Sequence, residues 1–297
     1  MSDQADVLRT KMSRSLYESQ KPPSKIIAVA SGKGGVGKST FTLNFSLSLQ
    51  KASKKSLIID LDVGMGNIDI LLGRTSRYSI ADMVNNELSI WSVIEKGPEG
   101  LSYIAGGSGL EELFEMDFDK TEFFCRQIES LESEFDYIFF DMGAGINSNS
   151  RYFLLSAHEL FLITTPEPTS VTDAYGMIKY VHLNAPALPV YMVVNRVQSK
   201  EDGEKTSRNL EEVTKRFLGK EIKMLGYVPE DKIVWKAVRE QLPFVLSAPS
   251  SRTSYSVNQS AQAYLAQGTG TVSSEDDGTS VRSFLTKLKT FIKKQRG

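Results

Sequence analysis

The stretch SGKGGVGKST, residues 31–40, places four glycines around two lysines and ends in two hydroxyl side chains. It satisfies the pattern G-x-x-x-x-G-K-[ST], in which glycines let backbone N–H groups converge on phosphate oxygens. Lys38 would neutralise the β- and γ-phosphates, Ser39 would bind Mg²⁺ and Thr40 would contact the α-phosphate. A glycine-rich turn without a ligand is the alternative, which the complete motif disfavours. The predicted phosphate-binding residues are Gly32, Gly34, Gly35, Val36, Gly37, Lys38, Ser39 and Thr40.

Two carboxylates follow one βα unit later, in IIDLDVGMGNID, residues 58–69. Asp60 and Asp62 stand where a strand gives way to a loop, and residues two apart on a strand point to the same face. Two carboxylates on the nucleotide side would suit a Mg²⁺-bound water and an attacking water. The alternative is a pair of solvated acids at the rim of the sheet, which loses support because the phosphate-binding motif precedes them.

A third motif, DYIFFDMGAG over residues 136–145, is an apolar strand that ends in Asp141 and two glycines. A buried strand with one terminal carboxylate is suited to hold the water shell of a metal ion beside a phosphate chain. Gly143 and Gly145 would let the following loop move against the γ-phosphate. Such strand endings are common, so this motif supports a phosphate site only because it follows the phosphate-binding motif and the two carboxylates in the chain.

Short apolar runs alternate with helical segments from Lys25 onward, and this alternation must position the three motifs. Buried strands separated by helices indicate an α/β fold with a mostly parallel twisted sheet of about seven to eight strands and helices on both faces. We predict strands over 25–31, 56–62, 101–107, 136–142, 159–165, 188–195 and 222–229. We predict helices over 38–51, 79–86, 119–133, 148–157, 170–183, 204–218, 231–240 and 252–266.

The amino-acid composition limits the classes of molecule that this chain is expected to bind. The net charge is −1, but the last 17 residues carry six basic and no acidic side chains, which leaves 29 basic and 36 acidic residues in the first 280. An acidic body argues against nonspecific nucleic-acid coating, and no specific nucleic-acid partner is expected. A single cysteine, Cys125, excludes an intramolecular disulfide and should pack as a small apolar residue. Trp91 and Trp235 are expected in the core or at an interface, and His158 and His182 lack the ligand spacing of a metal site.

Together the three motifs resemble the MinD/ParA group of P-loop ATPases over about residues 25–265. The resemblance is carried by KGGVGK at 33–38, the DxD of 60–62 and the acidic strand ending at Asp141. It implies ATP or ADP with Mg²⁺ as cofactors, a homodimer with ATP, and Lys33 as a signature lysine that reaches the partner's phosphates. It gives Asp62 the attacking water and assigns the metal to Ser39, Asp60 and Asp141, with Lys33, Lys38, Asp60 and Asp62 as the catalytic set.

The same resemblance implies a base-binding region in two later segments. VVNR at 193–196 would give Asn195 to the adenine amine, with Arg196 beside it. GYVPED at 226–231 would place the backbone around Pro229 and Glu230 at the ring edge. Glu167 and Asp173 follow another predicted strand, at the edge of the sheet where ligands bind, and are interpreted as sensors of nucleotide or dimer state.

The C-terminal region divides into a Gly/Ser/Thr/acid-rich linker, 267–280, and a basic amphipathic segment, 281–297. Members of the MinD type end in an amphipathic membrane-targeting helix, so the segment is interpreted as an anchor for the headgroup region of anionic lipid. Packing of the helix on its own domain is the alternative, and docking in one state with release in another is compatible with both. The predicted membrane-binding residues are Val281, Phe284, Leu285, Leu288, Phe291, Ile292, Lys287, Lys293 and Lys294.

Residues 1–24 read as a short helix followed by a Pro-Pro linker, ahead of an ATPase domain over 25–266. DQADVLR at 3–9 resembles the DQAxxLR motif of the FlhG (YlxH/FleN) family of flagellar number and placement regulators. In that family the segment stimulates the SRP-type GTPase FlhF, and flagellar C-ring or switch components are further partners. A frayed amphipathic tail is the alternative reading. The residues that match are Asp3, Gln4, Ala5, Leu8 and Arg9.

We therefore expect a slow, Mg²⁺-dependent ATPase switch that cycles between a cytosolic monomer and a membrane-bound dimer. The sequence has no signal-peptide-like run, so a cytoplasmic protein bound reversibly to the inner face of the cell membrane is expected. A MinD-type division-site regulator without a GTPase partner is the alternative within the fold. An iron-protein-like carrier would need paired cysteines, and a DNA-partition adaptor would bind duplex DNA in a salt-sensitive way.

Overall fold

The computed structural model describes residues 23–62, 67–107, 118–146, 150–268 and 280–296. The N-terminal motif at 3–9 and most of the predicted linker therefore lie outside the described residues. The strands are β1 (Lys25–Ser31), β2 (Ser56–Leu61), β3 (Glu95–Lys96), β4 (Ser102–Ile104), β5 (Tyr137–Ala144), β6 (Glu159–Thr164), β7 (Val190–Val197) and β8 (Lys223–Pro229).

The helices alternate with these strands, and a 3₁₀ turn spans Pro98–Gly100. They are α1 (Lys38–Lys51), α2 (Ile68–Leu71), α3 (Ile80–Asn85), α4 (Ile90–Val93), α5 (Phe118–Glu129), α6 (Arg151–Ser156), α7 (Pro168–Asn184), α8 (Lys200–Leu218), α9 (Lys232–Arg239), α10 (Phe244–Ser247), α11 (Arg252–Gly268) and α12 (Val281–Arg296).

The described strands form one eight-stranded sheet in the order β3-β4-β2-β5-β1-β6-β7-β8. Every pair is parallel except β3 with β4, so the α/β prediction and all seven predicted strands are confirmed. In β5, Asp141 pairs with Val29 of β1 and with Asp60 of β2. The carboxyl ends of three neighbouring strands therefore carry the three motifs to one edge of the sheet, where open α/β sheets bind ligands.

Two apolar cores cover the two faces of the sheet. One includes Phe45 of α1 and Tyr264 of α11, whose rings lie 6.0 Å apart, and is centred on α1, α10 and α11. The other gathers α5, α6, α7 and α12, with Phe124 of α5 fully buried. Cys125 is buried in this second core, as predicted, and its burial raises the pKa of the thiol to about 11.

The C-terminal helix α12 packs into the second core with its apolar face. Val281, Phe284 and Leu288 are fully buried, and the Phe284 ring lies 5.3 Å from Phe140 and 6.5 Å from Phe153. Three polar contacts hold the outside of the helix: Val281 N donates to Glu132 (2.8 Å), Arg282 pairs with Glu129 (3.0 Å) and Lys289 pairs with Glu122 (3.0 Å). In this structure the apolar face predicted to bind lipid is covered by the chain's own domain.

Several local features differ from the sequence-based expectations. Strand β3 and helices α2, α4 and α10 were not predicted, because two to four residues are too few to show a period. Trp91 and Trp235 are 49% and 66% exposed, so of the two expected placements the core is excluded and an interface stays a prediction. Within the described residues no helix has the length and apolar character needed to cross a membrane.

Candidate functional site

The loop between β1 and α1 has the geometry of a phosphate cradle. Gly35 and Gly37 adopt left-handed backbone angles, with φ of +74° and +91°. A Cβ on Gly37 would lie 2.5 Å from Asn195 Nδ2, so a side chain at this position would meet both strain and a clash. Ser31 Oγ donates to the carbonyl of Lys33 at 2.9 Å and fixes the entry to the loop.

Lys38 is directed into the site and contacts the strand-end carboxylate. Its ammonium lies 3.2 Å from Asp141 Oδ1 and 3.3 Å from Ser39 Oγ, and its side chain is 7% exposed. Thr42, one turn along α1, donates to the same Asp141 oxygen at 3.1 Å. Within the part of the chain that the structure describes, the other oxygen, Oδ2, is buried without a hydrogen-bond partner. A buried carboxylate oxygen left unpaired indicates that a further group belongs in this site.

Asp60 anchors the loop that follows β2. Its Oδ1 accepts from Asp62 N at 3.0 Å, and its Oδ2 accepts from Asn67 N (2.7 Å) and Ile68 N (3.2 Å). Burial and the neighbouring Asp141 raise the pKa of Asp60 to about 7. Both oxygens of the predicted metal ligand thus accept backbone N–H groups, Oδ1 from the residue after β2 and Oδ2 from the start of α2.

Asp62 has a different environment from Asp60. It lines the cavity and accepts from Asn67 Nδ2 at 3.2 Å. Partial burial raises the pKa of its carboxyl, and the nearby Lys38 opposes the rise. The site offers hard oxygen ligands, which fit Mg²⁺ and its water shell. They are the hydroxyl of Ser39, the carboxylate of Asp62 and the unpaired oxygen of Asp141. No cluster of three His, Cys, Asp or Glu side chains that could hold a metal by themselves occurs among the described residues.

A cavity of about 710 Å³ extends from this phosphate end toward the β7 and β8 strand ends. Asn195, Arg196, Pro229 and Glu230 all line it, together with Gly34, Gly35, Gly37, Lys38, Ser39, Thr40 and Asp62. Asp60 is fully buried beneath the wall, and Val36 is also buried. The volume falls within the usual range for a small-molecule site.

Two of the residues expected near the base also brace the phosphate loop. Asn195 Nδ2 donates to the carbonyl of Val36 at 2.7 Å, and Arg196 Nη2 donates to the carbonyl of Gly35 at 2.6 Å. Arg196 has φ +58°, a conformation that is uncommon for an L-residue and that persists only where the surroundings hold it. Sequence reasoning missed this bracing role, which depends on a contact between segments 160 residues apart.

Lys33 is not among the residues that line the cavity. Its ammonium lies 2.7 Å from Glu167 Oε2 and 3.0 Å from Thr169 Oγ1, at the beginning of α7. The pKa of the Glu167 carboxyl is lowered by the hydrogen bond and by the charge of Lys33. The two lysines of the loop therefore point to different places, since Lys38 is inside the cavity and Lys33 is on the surface beside it.

The family comparison agrees with this site. A model for the CobQ/CobB/MinD/ParA nucleotide binding domain matches residues 27–244, which include every part of the cavity described above. The chain belongs to this nucleotide-binding family.

Curated relatives of the family include two flagellar proteins. The chain is 30% identical to the antiactivator FleN of Pseudomonas aeruginosa over 240 residues, which cover 81% of this chain and 86% of FleN. It is 30% identical to the flagellum site-determining protein YlxH of Helicobacter pylori over 290 residues, 97% of each chain. The similarity to YlxH thus extends over nearly the whole length of both proteins.

Solved structures show the same fold. The septum site-determining protein MinD of Pyrococcus horikoshii, complexed with Mg-ADP, superposes with a TM-score of 0.69 at 24% identity and covers 84% of this chain and 100% of that chain. The cell division ATPase MinD of Pyrococcus furiosus gives a TM-score of 0.69 at 25% identity, with coverages of 82% and 99%. The MinD-like P-loop architecture is therefore confirmed.

Proposed function

We propose that this chain is a Mg²⁺-dependent ATPase switch whose two nucleotide sites are each completed by the other copy in an ATP-bound homodimer. The observation that carries the proposal is the divergence of the two loop lysines. Lys38 faces the cavity, whereas Lys33 lies outside it on Glu167. A cation at the mouth of one site is placed to enter the site of a second copy that faces it.

Within one copy, the cavity residues account for binding and for activation of water. Backbone N–H groups of the phosphate loop and Lys38 hold the phosphate chain. Asp62, half-buried and hydrogen-bonded to Asn67, orients the attacking water and accepts its proton. Mg²⁺, held by Ser39 and by water on Asp141, would neutralise charge on the β- and γ-phosphates when bound. A further cation is needed to stabilise the negative charge that develops while the γ-phosphoryl group is transferred to water. Lys33 of the partner supplies this cation.

Nucleotide-dependent oligomerisation tests this proposal. Size-exclusion chromatography with ATP should give a dimer for the Asp62→Ala variant, which cannot hydrolyse the nucleotide, and a monomer with ADP. The Lys33→Ala variant should bind ATP and remain without hydrolysis. A chain that stays monomeric with ATP in every variant would rule out the shared-site mechanism.

The C-terminal helix α12 is proposed to be a membrane anchor that is released when the dimer forms. Its docking site is connected to the nucleotide site, because Phe284 packs on Phe140, the residue next to Asp141. Phe291 of α12 stacks at 6.2 Å on Tyr152 of α6, the helix that follows the Asp141 strand. Two anchors on one dimer make the second insertion effectively intramolecular, which raises avidity by about 10²- to 10⁴-fold. Such an anchor would place the protein reversibly on the inner face of the cell membrane.

Measurements of binding to lipid vesicles can distinguish the release of α12 from the affinity of α12 for lipid. Glu132→Gln weakens the polar contact at the start of α12 and leaves the apolar face intact, so it should increase binding to anionic vesicles without ATP. Phe284→Glu also disrupts docking, but it places a charge on the lipid-binding face and should abolish vesicle binding. Equal vesicle binding by both variants would contradict a role of α12 as an anchor.

We further propose that the cellular role is control of flagellar number or placement, with the SRP-type GTPase FlhF and flagellar switch components as partners. The support is the similarity to FleN and YlxH and the DQAxxLR match at 3–9. Deleting residues 3–9 should abolish stimulation of the GTPase and leave ATP hydrolysis unchanged. GTPase stimulation that survives the deletion would favour the alternative, a MinD-type positioning ATPase without such a partner.

A further inference from the structure

One wall of the cavity is built by α9. Asp231 caps this helix by accepting from Ile233 N at 3.0 Å. Val234, Trp235 and Val238 follow at positions that share one side of a helix, and all line the cavity together with Asp231. The helix therefore runs along the cavity and begins directly after Pro229 and Glu230.

Trp235 is the largest apolar side chain of this wall and the one most open to solvent. Phe41 and Phe244 also line the cavity, but they are buried in the core, at 3% and 2% exposed. Trp235 is 66% exposed. An exposed indole beside a nucleotide site offers a flat apolar surface whose burial would be favourable.

The indole is also restrained before any ligand binds. Arg239, one helical turn later, places its guanidinium 5.4 Å from the centre of the Trp235 ring. A cation–π contact of this kind holds the ring in one orientation, so that less side-chain freedom is lost when another group packs on it.

We propose that Trp235 stacks on the purine of the bound nucleotide and supplies much of the affinity for the base. The inference rests on the proposed nucleotide function and adds to it a named determinant for the base. Polar groups of the phosphate loop would bind the phosphates, whereas the α9 wall presents apolar side chains. The part of a nucleotide that can pack against apolar side chains is its planar heteroaromatic base. Stacking tolerates any base with a large π-face, so Trp235 favours purines over pyrimidines rather than adenine over guanine.

Calorimetric titrations with ADP, CDP and inorganic pyrophosphate, each with Mg²⁺, test this inference. Trp235→Ala should weaken ADP binding by about tenfold, the usual size of a base–aromatic stacking contribution. CDP should be affected less and pyrophosphate not at all, and Trp235→Phe should retain most of the ADP affinity. Trp91→Ala, which removes the other exposed indole, is the matched control and should bind all three ligands as the native chain does.

Fluorescence supplies a second readout that does not depend on affinity. The chain has two tryptophans, so Trp91→Phe leaves Trp235 as the sole indole. ADP should quench its emission and pyrophosphate should not. Unchanged ADP affinity in Trp235→Ala, or an equal loss for ADP and pyrophosphate, would overturn the stacking role. Normal ADP affinity with a lost ATP dimer would instead assign Trp235 to the contact between copies. Failure of the native chain to bind ADP would overturn the nucleotide function itself.

Discussion

The ammonium of Lys33 and the carboxylate of Glu167 form an ion pair of 2.7 Å at the mouth of the nucleotide cavity, with the two side chains 39% and 56% exposed. Glu167 immediately precedes α7, and Thr169 in its first turn accepts a second hydrogen bond from Lys33. The lysine proposed to act in the partner's site is held on its own subunit, so formation of the proposed dimer would compete with that contact.

Neutralising Glu167 should make the ATP-dependent dimer form more readily. Glu167→Gln removes the charge that holds Lys33, whereas Lys33→Ala removes the cation itself. Because exposed ion pairs contribute little, the gain in dimer affinity should be small beside the loss of hydrolysis in Lys33→Ala. Analytical ultracentrifugation across a range of ATP concentrations measures it. Glu204→Gln, which neutralises an exposed acid paired with Lys200, is the control, and an equal effect in that variant would refute a specific role of Glu167.

Asp62 and Asp60 should give different phenotypes when changed. Asp62→Ala removes the group proposed to activate water and should lower the hydrolysis rate by roughly 10²- to 10⁴-fold with ADP affinity nearly unchanged. Asp60→Ala leaves three backbone N–H groups without their acceptor and should destabilise the loop after β2. Phosphate release and thermal unfolding separate the two. A stable, active Asp60→Ala chain would show that the loop anchor is dispensable.

The bracing of the phosphate loop by β7 should be measurable as phosphate affinity. Asn195→Ala removes the hydrogen bond to Val36 O, and a single such bond contributes about 1 kcal/mol, so pyrophosphate affinity should fall roughly fivefold. Arg196→Ala should have a similar effect through Gly35 O. Calorimetry with pyrophosphate tests both variants. If Asn195 acts on the base, as the sequence predicted, and does not brace the loop, ADP affinity would fall and pyrophosphate affinity would not.

Docking of α12 should control the reactivity of the single cysteine. Cys125 lies on α5 between Glu122 and Glu129, the two acids that pair with α12, and it is 2% exposed. In Glu132→Gln the N–H groups of Ser24 and Val281 both lose a charged acceptor, and one of them faces the amide NH2 with no acceptor, which weakens docking by about 1–2 kcal/mol. The rate of Cys125 modification by a disulfide reagent should rise accordingly. An unchanged rate in this variant, with normal thermal stability, would show that α12 does not protect the thiol.

Docking of α12 should also weaken at acidic pH. His158 Nδ1 accepts from Ile26 N at 2.8 Å, and Nε2 lies 3.0 Å from Ser280 O, just before α12. Burial, aided by Lys287, lowers the pKa of His158 to about 4. Release of α12 would return it toward 6.5, so the released state binds more protons and docking is lost progressively as pH falls from about 6.5 toward 4, by on the order of 3 kcal/mol in full.

A ring-proton titration by nuclear magnetic resonance measures this pKa directly. The chain has two histidines, and His182→Gln identifies the resonance of His158. A His158 resonance that titrates near the unperturbed value in the docked protein would contradict the prediction.

The sequence predicted most of the fold because the sheet is built from apolar runs that are buried on both faces. Such runs predict the positions of Asp60 near the end of β2 and of Asp141 in the second half of β5. The two residues are adjacent because the strands pair in parallel. Elements of four residues or fewer were not predicted from the sequence. Helix α2 is an example, because it depends on Asp60 accepting N–H groups at its start and not on a hydrophobic period.

The candidate site was predictable where a motif is local and not where it depends on packing. The positions of Lys38, Ser39 and Asp62 follow from spacing along the chain. Three contacts join segments more than 130 residues apart, so no local sequence pattern could predict them. They are Lys33 with Glu167, Arg196 with Gly35, and Phe284 with Phe140. Docking of α12 on its own domain was only the alternative prediction from the sequence, because an apolar face with basic flanks favours a lipid surface and carries no sign of the protein core that covers it.

Complementation between two inactive variants tests the shared site most directly. Lys33→Ala retains its own Asp62, and Asp62→Ala retains its own Lys33, so a mixed dimer has one site with both groups. If Lys33 acts in the partner's site, mixing equal amounts should restore about a quarter of the native ATP hydrolysis per chain, since half of the dimers are mixed and each holds one complete site. If Lys33 acts within its own subunit, every chain stays incomplete, and the mixture would be no more active than the two variants measured apart.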